Sequence, residues 1–199
     1  PPRRPTALQP ADVPLNLQPE DIENYEGGVK GSLLSGRLSL EASYFYMNDD
    51  GVVLRRRQGP FFLDTNAGTR KFKGFETGLG WSPSSQVSTY VNASFYRSRF
   101  GEFVVESSGG NTVLTGNHLV LAPDSIVNWG ANVRPIPFVD LTLDVKHVGK
   151  AFGDEANSFQ IDGYTLVDVA ATWRRGPLRV KLSARNLFDE QYYFDVGEE

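Results

Sequence analysis

The densest concentration of chemically capable side chains in this sequence is basic. Arg55, Arg56 and Arg57 run consecutively, and Arg70, Lys71 and Lys73 follow on what reads as the far side of the same hairpin. Guanidinium forks grip carboxylate or phosphate at two points, so such a group suits capture of an anionic chelate or another anionic nutrient. The competing reading is a solvated charge cluster, or a surface that meets lipid phosphates. Phe61 and Phe62 lie within the same hairpin, and Phe100 and Phe103 lie in a later loop; each could stack on a ligand or anchor its loop to a neighbour. "GDEAN" (153–157) gathers the oxygen donors Asp154, Glu155 and Asn157, but it lacks the frame of a calcium-binding hand and reads as a plain loop.

Enzymatic chemistry finds less to work with. There are 2 histidines, His118 and His147, and 0 cysteines, so a zinc centre would need carboxylates gathered without recognisable spacing. Asp140 and Asp144 share a strand parity and could serve acid–base work. Lys146 beside them, with Arg179, Lys181 and Arg185 on what reads as the neighbouring strand, favours a ladder of opposite charges on a wet surface instead. Neither a Gly-x-Ser-x-Gly nor a phosphate-loop pattern occurs. The expectation is a non-enzyme with no catalytic residue, no cofactor and no metal site. A net charge of -4 argues against nucleic acid as a partner.

The elements that must carry these residues alternate with period two. Residues 37–47, "RLSLEASYFYM", set Leu38, Leu40, Ala42, Tyr44 and Tyr46 against Arg37, Ser39, Glu41 and Ser43. Seven further stretches repeat the pattern, at about 24–33, 70–81, 86–99, 125–134, 138–148, 163–174 and 178–187. Their apolar sides include Tyr25 and Val29, Phe75 and Trp81, Val91 and Phe95, Val127 and Trp129, Leu141 and Leu143, Val169 and Trp173, and Val180 and Leu182. The connections "SLLSG", "SPSSQ", "PIPF" and "RRGP" are short, whereas 50–69, 100–123, 149–162 and 188 onward are long, and the two kinds strictly alternate.

Short turns at one end of a meander and long loops at the other are the asymmetry of a transmembrane β-barrel. Strands of roughly 9–11 residues, tilted near 45°, cross a hydrocarbon core. Residues 38–46 alone rise about 19 Å at about 3.3 Å per residue and that tilt. Tyr44 and Tyr46 near one end, and Trp81 and Trp173 near the other, fall where interfacial aromatic girdles belong. Mean hydropathy of -0.33 does not oppose this, because half of every barrel strand is polar. The opening "PPRRPTALQPADVP" has no apolar core of a signal peptide, and no run approaches a spanning helix.

Specific segments sharpen the class. "PEDIENYEGGVKG" (19–31), "YFYMND" (44–49), "NAG...KGFETGLGW" (66–81), "LTGNHLVLAPD" (114–124), "HVG" (147–149), "DGYTLVDVAATWR" (162–174) and "SARNLFDEQYY" (183–193) occur in an order that resembles the C-terminal half of the barrel of TonB-dependent outer-membrane receptors. The resemblance covers nearly all of 17–194 and implies an all-β, antiparallel, up-and-down transmembrane β-barrel, here partial: about 8 strands of roughly 22. It implies residues 1–16 as a loop or irregular lead-in and 17–199 as barrel, about strands fourteen to twenty-one. The plug domain, the TonB box and the final strand are expected outside this stretch.

The implied location is the bacterial outer membrane, with outer-membrane lipid and lipopolysaccharide as surroundings. The implied function is uptake of a scarce nutrient, a ferric siderophore first, driven by the TonB complex acting through the N-terminal region, where a strand is added to the partner. Arg55, Arg56, Arg57, Phe61, Phe62 and Arg70, in extracellular loops, are the expected substrate contacts. Two other classes remain at this point: another outer-membrane barrel, such as a porin or adhesin, and a soluble β-sandwich binding module. In the sandwich, Leu141, Val169 and Val180 would face a shared core.

Overall fold

A computed structural model describes residues 17–58, 61–66, 68–107 and 110–193, with side chains left undescribed at 54–65 and 105–111. The expected lead-in, 1–16, lies outside the described residues. Eight long strands form one antiparallel sheet: β1 (Asp21–Leu33), β2 (Leu38–Asp50), β5 (Thr69–Ser84), β6 (Val87–Phe100), β9 (Ser125–Ile136), β10 (Val139–Val148), β13 (Tyr164–Arg175) and β14 (Leu178–Ala184). They stand in that spatial order, each hydrogen-bonded to its neighbours in sequence, so the sheet is an open meander with β1 and β14 at its edges. All eight expected strands are present.

The long connections are not irregular throughout. They contain three small antiparallel pairs: β3 (Val53–Gln58) with β4 (Phe61–Asn66), β7 (Val104–Ser107) with β8 (Gly110–Val113), and β11 (Ala151–Phe152) with β12 (Gln160–Ile161). Period-two patterning is too brief there to stand out from a polar loop, which is why the sequence reading passed over them.

Register decides whether eight amphipathic strands make one amphipathic sheet, because a slip of one residue turns a whole strand over. Here every apolar side meets its neighbour's apolar side. Leu40 opposes Leu79, which opposes Val91; Val91 opposes Trp129, which opposes Val145, which opposes Val167. The other parity pairs polar groups: Lys30 with Glu41, Glu76 with Ser94, Asn92 with Asn128, and Thr142 with Asn132. Two register breaks fall at the short-turn end, beside Pro83 and Pro135. Proline lacks the N–H a ladder needs, so it settles where the ladder is interrupted.

No second sheet covers the apolar face among the described residues. Leu141 is 42% exposed, Val180 50% and Leu182 72%, so the shared core of a β-sandwich is not what these side chains meet. A continuous apolar face of this extent is not tolerated in water, and a bilayer is the solvent that suits it. The buried hydrophobic cluster lies elsewhere, in the long-loop end, where Phe100, Phe103, Leu114 and Leu119 pack together with Phe72 and Ala122.

Candidate functional site

The two faces of the sheet treat polar groups differently. On the apolar face several polar side chains are turned back onto the sheet. The Trp129 indole N–H donates to Thr89 Oγ1 at 2.9 Å, and that hydroxyl donates to the Gly130 carbonyl at 2.8 Å. Thr77 Oγ1 donates to the Glu41 carbonyl at 3.0 Å, and His147 Nδ1 lies 2.9 Å from Thr165 Oγ1. In hydrocarbon an unpaired donor costs several kcal/mol, roughly, so such pairing is what allows these residues to face lipid.

The opposite face is a network of side chains. Tyr90 lies across Gly130, where a Cβ would collide with its ring, and its hydroxyl reaches Asp144 at 2.9 Å. Phe45 packs over Gly74 and against Tyr96, with ring centroids 5.9 Å apart, and the Tyr96 hydroxyl donates to Glu76 at 2.9 Å. Near the short turns Asp140 accepts from Arg134 at 2.7 Å and pairs with Arg174 at 2.5 Å. Lys30 pairs with Glu41 at 3.4 Å. The expected charge ladder is therefore real in character but differs in its partners. β13 lies between β10 and β14, so Arg179 and Lys181 are not on the strand next to Asp140 and Asp144.

The long-loop end holds the expected contact residues. Arg55, Arg56 and Arg57 lie in β3, with backbones opposite Asp64, Leu63 and Phe62, and Phe61 lies opposite Gln58. The side chains of these five residues lie outside the described part of the structure. Arg70 is described, and it is engaged. Its Nη2 and Nε donate to Asp49 Oδ2 at 2.6 and 2.9 Å, and Glu20 stands 3.8 Å away. The Asp49 side chain is 4% exposed, so a bound guanidinium is what makes that burial tolerable. Glu20 also accepts from the Val53 amide at 2.8 Å, tying the chain before β1 to the start of β3.

The loop aromatics and oxygen donors are likewise built into the fold. Phe103 is 1% exposed and packs against Phe100 with ring centroids 4.3 Å apart. Asp154 accepts from the Ser158 hydroxyl at 2.7 Å, the Ser158 amide at 3.1 Å and the Phe159 amide at 2.8 Å. The Phe159 amide above all, then the Ser158 hydroxyl, holds its carboxyl below the usual range. Asn157 exchanges hydrogen bonds with the His118 backbone at 2.6 and 3.0 Å, stapling the β11–β12 loop to the one before β9. Burial lowers the His118 pKa, and Arg99 and Arg97 lower it further against the opposing pull of Asp124. Arg99 Nη2 donates to His118 Nε2 at 3.1 Å, which the neutral ring accepts.

A grouping invisible along the chain emerges from register. Lys71 is directly opposite Arg99, and Lys73 directly opposite Arg97, on the parity that carries Phe75 and Phe95 just below. Sequence proximity had joined Lys71 and Lys73 to the β3 arginines. The usable signal was the sum of antiparallel positions, which is the same for both pairs.

An apolar outer surface, a polar inner surface, short turns at one end and hairpin-bearing loops at the other define a wall of an outer-membrane β-barrel. The chain belongs to the TonB dependent receptor-like β-barrel family, whose model it matches over residues 3–187. It is similar to the metal-pseudopaline receptor CntO of Pseudomonas aeruginosa, with 27% identity over 189 residues, 89% of this chain and 25% of that protein. It is also similar to the ferrioxamine receptor of Yersinia enterocolitica, with 23% identity over 88% of this chain and 24% of that protein.

Among solved structures, the siderophore receptor PiuA of Acinetobacter baumannii superposes with a TM-score of 0.75 at 21% identity, covering 87% of this chain and 25% of that one. The ferric yersiniabactin uptake receptor FyuA of Yersinia pestis gives 0.74 at 22% identity, covering 90% and 27%. At this identity the superpositions establish the fold. The chain spans about a quarter of the length of these curated relatives.

Proposed function

We propose that this chain is part of the wall of an outer-membrane receptor that binds a scarce nutrient outside the cell, a ferric siderophore first, and imports it with energy from the TonB complex. The observation that carries the reading is one face predominantly apolar across eight paired strands while the other face is predominantly polar. Such a sheet separates lipid from a wet lumen, and its family is one of receptors. The substrate class draws support from relatives whose names specify metal-pseudopaline and ferrioxamine. In this reading residues 17–199 supply about eight strands of a barrel of roughly 22, and 1–16 a lead-in. A plug, a TonB-contacting segment and the remaining strands come from elsewhere in the protein.

The substrate end is the long-loop end, with Arg55, Arg56, Arg57, Phe61 and Phe62 on the β3–β4 hairpin as contacts. Arg70 has a different part in this proposal: held by Asp49 and Glu20, it braces the base of that hairpin rather than meeting the nutrient. Outer-membrane lipid and lipopolysaccharide surround the apolar face.

The test is deletion of the whole receptor gene in its host, followed by growth under iron limitation on a panel of ferric chelates. Loss of growth on one chelate, restored by the intact gene and not by a form with Arg55, Arg56 and Arg57 changed to Gln, is the expected result. Unimpaired growth of the deletion strain on every chelate, with unimpaired uptake of labelled iron, would reject the iron reading.

A further inference from the structure

The long connection between β6 and β9 closes on its neighbours through one half-buried ring. Residues 116–121 run between two anchors: the Gly116 and Leu119 amides donate to the Phe100 and Ser98 carbonyls of β6, and the Leu121 amide donates to the Phe152 carbonyl of β11. His118 sits midway and joins both. Its Nε2 accepts from Arg99 Nη2 at 3.1 Å, its ring packs on Phe152 with centroids 5.2 Å apart, and Asn157 of the β11–β12 loop holds its backbone. Three segments far apart in the chain therefore meet on one imidazole.

The arrangement depends on the charge of that ring. A neutral imidazole offers Arg99 a lone pair at Nε2, whereas a protonated one carries N–H at both nitrogens and can only donate. Its surroundings then oppose it. β6 brings Arg99 and Arg97, and β5 brings Lys71, directly opposite Arg99. The carboxylates nearby are engaged or turned to water: Asp124 accepts from the Ser125 hydroxyl at 3.0 Å, Asp154 from Ser158 and Phe159, Asp162 pairs with Lys150 at 3.6 Å, and Glu155 and Glu102 are exposed. Among the described residues no carboxylate lies within ion-pair distance of His118. Arg99 is equally committed, since its Nη1 donates to the Gly116 carbonyl and its Nε is buried without an acceptor among the described residues. The lowered pKa of His118, caused first by burial and then by Arg99 and Arg97, agrees with this geometry.

We propose that His118 is an acid-released clasp: its neutral ring locks the β6–β9 connection to β6 and to the β11–β12 loop, and its protonated ring repels Arg99 and loosens the two long loops from each other. The loop end of the sheet is thereby tight at neutral pH and loose in acid. The clasp stands on loop contacts alone, so it holds whatever nutrient those loops receive.

The test is hydrogen exchange of the full-length receptor in bilayers, read by mass spectrometry on peptides covering 116–121 and expressed relative to the intrinsic rate at each pH. The fold favours the neutral ring, so protection is whole above the ordinary histidine value of about 6.5 and is lost as pH falls through the lowered one. In wild type it should fall about tenfold, the worth of one contact to a charged group. This step should come at higher pH than the loss at Ser158 and Phe159, whose partner is a carboxylate. His118→Gln, whose side-chain oxygen accepts from Arg99 at every pH, should abolish the step, and His118→Lys, a permanent cation, should show low protection already at neutral pH. Electrophoretic mobility of the folded barrel checks assembly. If neither variant assembles, Arg99→Gln is measured instead: its carboxamide can donate to the neutral ring or accept from the charged one, so the step should vanish there too.

Unchanged protection of 116–121 in wild type down to the carboxylate range overturns the proposal, as does a step of the same size and midpoint in His118→Gln. Protection of His118→Lys equal to that of wild type at neutral pH overturns it as well. A step that survives in Arg99→Gln would place the acid sensitivity outside the Arg99 contact and has the same consequence.

Discussion

The lipid face and the lumen face of the sheet share one backbone, yet they satisfy polar groups by different means. Toward lipid, mid-sheet hydroxyl and indole N–H groups are paired with a neighbouring strand's backbone or with another side chain on the same face, as Trp129, Thr89 and Gly130 show. Toward the lumen, long side chains reach across glycines to partners one or two strands away, as Tyr90 does over Gly130 to Asp144. The difference follows from solvent. Water can replace a broken contact on the inner face, whereas nothing in a hydrocarbon core can replace one on the outer face.

That contrast can be broken deliberately, with stability read from denaturant unfolding of the full-length receptor in bilayers. The largest effect is expected from Leu143→Arg, at mid-strand on the lipid face, which should cost about 2–4 kcal/mol, while Thr142→Arg on the lumen face one residue away should cost far less. Equal losses would mean that the faces are assigned wrongly. Next comes Thr89→Val, which strips the Trp129 indole of its acceptor and should cost about 1–3 kcal/mol; the Thr89→Val/Trp129→Phe double variant should recover part of that.

On the lumen face Tyr90→Phe keeps the ring over Gly130 and loses one hydrogen bond, with an expected cost near ~1 kcal/mol. The smallest change belongs to Lys30→Ala. Both members of its pair with Glu41 are well exposed, so the shift should stay within about 0.5 kcal/mol.

A pH test separates the loops from both faces. Asp154 has its pKa depressed by the Phe159 amide and Ser158, so the staple it forms is intact above the ordinary carboxylate range and is lost as pH falls through its lowered value. Protection of the Ser158 and Phe159 amides against exchange, measured relative to the intrinsic rate at each pH, should fall on acidification while amides in mid-sheet, such as Leu143, stay protected.

The parity of all eight strands was legible from residue types, because alternate side chains of a strand point to opposite faces whatever surrounds them. The same holds for the segregation of short and long connections. The loops were less legible. Phe100 and Phe103 read as loop anchors ahead of ligand platforms, but which residues they anchor against came only with the structure that packed them together, since burial depends on what the chain brings back from a distance. Arg70 looked like one more free cation of a basic hairpin, and its pairing with Asp49 needed the β2–β5 register.

By itself, then, the sequence determined that this protein makes amphipathic strands with two unlike faces, connected by turns of two unlike lengths. Both are local properties of hydrophobicity and chain geometry. Tertiary structure alone decided which residues face each other across strands. It set Lys71 against Arg99 and Lys73 against Arg97, and it placed Tyr90 over Gly130. Cross-strand register is a property of pairs far apart in the chain, fixed by the simultaneous matching of apolar and polar parities along the whole sheet.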